Sequence, residues 1–224
     1  MVFHFKILLA SFLLLLTPSV YANEDVIMPV LENPVRLDGA WSNTTEWNES
    51  AEIKIDNGKA YVLLKQDERF VYVMIDYLAD QGLDRSGDWN VACFDINNDS
   101  GIPDEDDYCF YIATRSGKMR SGIMQGSDDG WVVIQESRLL EKFARIGSSY
   151  LHDPYEKSKH VVSEFRIPIT HKEMGFYVYA NDGYRNEFVE WPENAGGKKF
   201  GVGSPTIRDV LASPADWGAV KKSG

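Results

Sequence analysis

Cys93-Phe94-Asp95-Ile96-Asn97-Asn98-Asp99-Ser100-Gly101-Ile102-Pro103-Asp104-Glu105-Asp106-Asp107-Tyr108-Cys109 is the stretch whose reading decides the fold. The runs on either side, 89–96 and 108–114, are rich in aromatic and β-favouring residues, and the polar centre carries Gly101 and Pro103. That pattern predicts two antiparallel strands joined by a loop. If the cysteines face each other, Phe94 stands opposite Tyr108, Ala92 opposite Phe110 and Asp95 opposite Asp107. Carboxylates directly across a strand pair repel. The loop adds Asp99, Asp104, Glu105 and Asp106, so six acids fall within thirteen residues. Such a concentration of charge at a strand end calls for a cation, with Asp95, Asn97, Asp99, Asp104, Asp106 and Asp107 as its candidate oxygen ligands. Calcium is the first expectation, because it accepts irregular all-oxygen shells. The spacing is not that of an EF-hand: Ser100 stands where the sixth position needs glycine, and strands flank the loop.

Outward from this hairpin, the N-terminal 22 residues have the anatomy of a secretory signal peptide: Lys6, the apolar run 7–16, and a cleavage region ending at Ala22. The expectation is an exported chain, secreted or at the cell surface, whose residues 23–224 form one domain. Two cysteines in an exported chain most simply form one disulfide, Cys93 with Cys109. A loop of this length closed in that way stabilises by roughly 3 kcal/mol in the chain-entropy model. The formal charge of −11 argues against nucleic-acid partners and against charge-driven binding to anionic lipid.

Further strands are predicted at 52–56, 59–66, 70–77, 118–125, 131–137, 161–167, 175–180 and 187–191, the last being the final long pairing strand. The 70–77 strand is apolar on both faces and belongs in the middle of its sheet. A short strand and turn is expected at 35–39, a loose lead-in at 23–33 and a long connection at 147–159. Residues 138–146 read equally as strand or short helix. Trp41 and Trp47 are expected to pack across one end of the core. Many short strands without an amphipathic helix of several turns predict an all-β, two-sheet antiparallel sandwich of jelly-roll or immunoglobulin-like layout.

Several elements, taken in order, resemble the family 9 carbohydrate-binding modules and their DOMON-like relatives. They are Leu37-Asp38-Gly39-Ala40-Trp41, the strand pair 61–76, the acidic hairpin from Asp88 to Tyr108, Glu164-Phe165-Arg166-Ile167-Pro168, Asn181-Asp182 through Trp191-Pro192, and Pro214 to Gly218. The resemblance implies a β-sandwich with structural calcium and an aromatic clamp on a pyranose. By position, Trp191 is the matched clamp residue and Arg185 a ligand-contacting arginine. Asp182 would lie near the sugar hydroxyls, and Trp89 is the other candidate ring. Where relatives carry a tryptophan three residues before Asp88, this chain has Arg85.

No His-Glu-x-x-His or Gly-x-Ser-x-Gly is present, and no acid pair shows the contrast of environments that glycoside hydrolysis needs. The expected function is therefore non-catalytic carbohydrate binding. Two alternatives stay open. DOMON-like relatives include haem-binding electron carriers, for which Met74, Met119, Met124, His160 and His171 are the available axial ligands. The other is a structural or adhesion module at the cell surface that takes no small ligand.

Overall fold

A computed structural model describes residues 25–84, 87–115, 117–136, 143–200 and 206–223. The segment read as a signal peptide, and Arg85, lie outside them. The described residues form two packed sheets. The larger has the order β1 (Val26–Met28), β13 (Gly218–Lys222), β11 (Glu173–Asp182), β5 (Trp89–Asp95), β6 (Asp107–Arg115), β7 (Lys118–Gln125) and β8 (Val132–Glu136). In this sheet β12 (Glu187–Trp191) also pairs with β11. The smaller sheet runs β2 (Ala51–Ile55), β3 (Ala60–Gln66), β4 (Val71–Tyr77), β10 (His160–Ile167) and β9 (Ala144–Ser149). All named strand pairs are antiparallel except β1 with β13.

The acidic hairpin is β5 with β6, and its register is the one obtained by counting from the cysteines. Cys93 faces Cys109, Phe94 faces Tyr108, Ala92 faces Phe110 and Asp95 faces Asp107. Cys93 and Cys109 are joined in a disulfide. As expected for a strand apolar on both faces, β4 is central in its sheet and buried along its whole length.

Alternate residues of the facing sheets fill the space between them: Val62, Leu64, Val73, Ile75, Phe165 and Ile167 from one, Ala92, Phe94, Ile112, Phe176, Val178 and Ala180 from the other. Because β5 and β11 are buried on both faces, the outer face of the larger sheet also needs a cover. The C-terminal segment supplies it, laying Ala195, Ile207, Val210 and Ala212 over Val91, Cys93, Tyr177 and Tyr179. Trp217 lies parallel to Trp131 at 5.7 Å and to Tyr177 at 5.7 Å, a three-ring stack on that face.

Four expectations are corrected. Residues 26–28 form β1 rather than a loose lead-in, and β13 follows β12, so 187–191 is not the last pairing strand. Residues 35–39 form no strand. Their backbone is instead held by buried carboxylates, since Glu164 Oε2 accepts the Asp38 and Gly39 N–H groups, each at 2.8 Å. Trp41 and Trp47 do not close an end of the core. They cover the outer face of the smaller sheet with Leu63, Tyr72, Met74 and Val162. Gly39, at φ +76°, is required where it is, because a Cβ there would meet the Gly147 backbone nitrogen at 2.6 Å.

Glu164 also accepts the Trp47 Nε1–H at 3.2 Å. Burial outweighs these donors and pushes its carboxyl up to about 8, against an ordinary 4.5. Between those values the folded chain holds a proton that the unfolded chain has lost, so this group's contribution to stability falls as pH rises from about 5 to about 8. Glu164→Gln should flatten that slope. It should also cost about 1–3 kcal/mol at low pH, because an amide NH2 must then face a donor. Urea unfolding of both proteins at pH 5 and pH 8 checks the two effects.

Candidate functional site

The sequence-predicted residues occupy three separate places, with Trp89 apart from all of them. At the hairpin mouth, Asp95 and Asp107 are buried opposite each other. Burial, and then the neighbouring Asp95 charge, raise the Asp107 carboxyl to about 7. The loop answers most of its own acids. Asp95 accepts the Asn98 N–H at 2.6 Å and the Ser100 N–H at 3.0 Å, while Asp107 accepts the Asp104 N–H at 2.9 Å. Asp99 takes the Gly101 N–H and the Asn97 Nδ2–H, and Asp104 takes the Asp106 N–H. These six residues share one loop, but no three of their acidic groups converge on one point.

At the opposite end of β5, about 23 Å away at the usual rise per residue, a different acidic set does converge. Asp80 follows β4, Asp88 precedes β5 and Asp182 ends β11, so three strand ends bring their carboxylates within 4.8 Å of one another where the sandwich opens. All three residues are buried. Asp88 accepts N–H groups from Asp84 and Gly183, and Asp182 accepts those of Tyr184 and Arg185. Asp80 Oδ1 accepts the Gly82 N–H at 3.2 Å, but its Oδ2 is buried with no donor, as is Asp84 Oδ2. Burial, reinforced by Asp88, pushes Asp80 up to about 8. Burial likewise lifts Asp88 to about 6. Three buried carboxylates, one of them with an orphaned oxygen, and no nitrogen or sulfur ligand among them suit a hard divalent cation.

The third place surrounds Trp191. It stands opposite Val178 on β11, on the core side, with its ring 5.7 Å from that of Phe176. The ring lies on Gly218, where a Cβ would meet Trp191 Cη2 at 2.2 Å. Half-buried in this way, Trp191 forms one wall of a groove of about 550 Å³ rimmed by Lys54, Glu193, Asn194 and Asp216. Glu193 Oε1 accepts the Asp56 N–H at 2.7 Å, tying that rim to the smaller sheet.

Trp89, Arg185 and Asp182 are not beside Trp191. Trp89 lies on the outer face of the larger sheet against Tyr111 and Phe200. Asp182 is four residues further along β11 than the partner of Trp191, about 13 Å. Arg185 donates from Nη1 to the Ala79 carbonyl at 2.5 Å, with Nε 3.9 Å from Asp182. The candidate haem ligands are also dispersed. Met74 and Met124 lie in different clusters on the outer faces of different sheets, Met119 packs against the central core, His160 is buried between two aspartates, and His171 is exposed.

No family model matches the chain, and no curated protein is detectably similar to it in sequence. Its architecture is matched by a carbohydrate binding module of family 9 from Caldicellulosiruptor kristjanssonii, solved in complex with cellotriose. The TM-score is 0.54 and the identity 16%, and the match covers 88% of this chain and 94% of that one. The chain has the fold of a family 9 carbohydrate-binding module. Sequence reasoning named Asp182 only as a sugar contact beside Trp191, and it missed Asp80 and Asp88 as neighbours of Asp182. Their only signal was two acids bounding a glycine-containing loop, about a hundred residues from Asp182.

Proposed function

We propose that this chain is an exported, non-catalytic carbohydrate-binding module whose residues 23–224 form one domain, with the sugar seated on Trp191. The observation that carries the reading is the groove itself. A tryptophan ring held by Gly218 and Phe176 offers an apolar surface to the C–H face of a pyranose. Lys54, Glu193, Asn194 and Asp216 stand around it as donors and acceptors for hydroxyls. The family 9 module sharing this fold was solved with cellotriose, which makes β-glucan oligosaccharides the first ligands to try.

Calcium completes the proposal. Asp80, Asp88 and Asp182 are supported as its holders by their convergence and by the orphaned Asp80 oxygen; no three of the hairpin-mouth acids converge, and none of them has a buried oxygen without a partner. The ion would offset the cost that burial puts on the Asp80 and Asp88 charges, and would tie three strand ends together. The same cluster fixes the β11–β12 turn, which leads along β12 to Trp191.

Isothermal titration with cello-oligosaccharides, beside a broad glycan panel, tests the sugar site. Trp191→Ala should weaken binding at least tenfold, about 1.4 kcal/mol. Lys54→Ala, at an exposed rim position, should weaken it severalfold without loss of stability, and Trp89→Ala should leave it unchanged. Wild-type affinity in Trp191→Ala, or a wild-type chain that binds no glycan, overturns the site.

Thermal melts test the calcium. In chelator the midpoint should fall as pH rises from 6 to 8, because Asp80 and Asp88 lie at about 8 and about 6 when folded but at 3.8 ordinarily. Calcium at a hundred times its Kd should raise stability by about 2.7 kcal/mol, and one fixed calcium concentration should raise it more at pH 8 than at pH 6. Asp80→Asn should abolish that response while leaving the chelated protein no less stable. A midpoint indifferent to calcium at both pH values contradicts the assignment.

A further inference from the structure

A second convergence lies under the smaller sheet's outer face, independent of the sugar groove and of the calcium set. His160 opens β10, Asp76 is on β4, and Asp153 is in the connection between β9 and β10; all three side chains are fully buried. His160 Nε2 is 2.7 Å from Asp76 Oδ1 and 2.7 Å from Asp153 Oδ2. Yet none of these three atoms makes a contact with hydrogen-bond geometry. On its other side, His160 Nδ1 is 2.8 Å from the Ser158 carbonyl oxygen, which can only accept, so the proton is on Nδ1. In the neutral ring, Nε2 then turns a lone pair toward two carboxylate oxygens. If the ring is doubly protonated, one N–H must serve two carboxylates, and it is aligned with neither.

Each of the three groups is oriented from behind. Asp76 Oδ2 accepts the Trp41 Nε1–H at 3.0 Å. Asp153 Oδ1 accepts the Tyr155 N–H at 2.7 Å, and the imidazole is fixed by Ser158. Outer contacts of this kind, including a ring N–H given to a backbone carbonyl, accompany metal-bound histidines and carboxylates. One imidazole nitrogen with two carboxylates is a donor set for a divalent first-row transition metal such as zinc, whereas calcium prefers an all-oxygen shell. Two carboxylates and a divalent ion also sum to zero charge in a buried place. Asp153 also lines a cavity of about 400 Å³ together with Trp41, Trp47, His152 and Tyr155, so the cluster borders open space on that side.

We infer that Asp76, Asp153 and His160 form a buried binding site for a divalent transition-metal ion, zinc foremost, that locks the 150–159 connection onto the smaller sheet. Ligand atoms of a tetrahedral zinc shell stand about 3.3 Å apart. The ion therefore has only to push each carboxylate back by about half an ångström from its present 2.7 Å.

The test uses the purified full chain, stripped with chelator, then given saturating calcium and titrated with zinc against a chromophoric zinc chelator. One zinc per chain should bind, and the melting midpoint should rise with it. Cobalt in place of zinc should give visible absorption bands. Asp80→Asn should keep the zinc, while His160→Gln and Asp153→Ala should each lose at least a hundredfold in affinity. No zinc or cobalt uptake by the folded wild-type chain overturns the site and leaves an imidazolium between two carboxylates. Undiminished uptake by folded His160→Gln overturns it equally, since an exposed histidine such as His152 would then be the ligand. Should both variants fail to fold, the wild-type stoichiometry, the midpoint shift and the cobalt spectrum still decide.

Discussion

A carboxylate taken out of water is costly unless a donor, a proton or a cation meets it. This sandwich buries ten of them among its described residues, against one buried lysine and one buried histidine. Most of the structure between its strands is a set of answers to that shortage. Glu46 is met by the Arg36 and Ser42 N–H groups and so folds the irregular 36–47 segment on itself, while Glu164, met by the Asp38 and Gly39 N–H groups and the Trp47 indole, tacks that segment onto the smaller sheet. Glu190 is met by the Tyr177 hydroxyl and the Gly197 N–H, which helps seat the C-terminal cover on the larger sheet. Asp95 is met by the turn that follows it. Donors run out at Asp80 Oδ2 and between Asp76, Asp153 and His160, and it is there that we propose an ion.

The same constraint places the groove. β11 has two partners along one edge, β13 beside Glu173–Phe176 and β12 beside Val178–Asp182. At the switch between them a side chain from β12 lies over Gly218 of β13, and that side chain is Trp191. The other end of β12 is held by the turn that Asp182 caps. An ion at the carboxylate end would therefore steady the strand that carries the ring, linking a buried electrostatic centre to a half-buried apolar one.

The hairpin was legible because a disulfide and a period of two residues fix register by counting alone, and the two-sidedness of β4 marked it as a central strand. The 35–39 segment misled because Val35 and Leu37 alternate like a strand, while its backbone partners are side chains of Glu46 and Glu164 that no local pattern announces. β1 and β13 are short and pair with each other in parallel across almost the whole chain, a contact with no local signature. The site we propose was legible in its aromatic part and opaque in its ionic part for one reason. Trp191 is marked by its neighbour Pro192, whereas Asp80, Asp88 and Asp182 meet only after three strands are laid side by side. Acid density marked the hairpin loop, where turns supply donors, and passed over the sparser acids that burial leaves without them.

Crystals grown with both calcium and zinc, measured on either side of the zinc absorption edge, test this account most directly. It predicts a peak among Asp80, Asp88 and Asp182 that is indifferent to the edge, and a second peak at His160 Nε2 that disappears below it. Two empty clusters, with Asp80 protonated and the His160 Nε2–H donated squarely to one carboxylate, would contradict it.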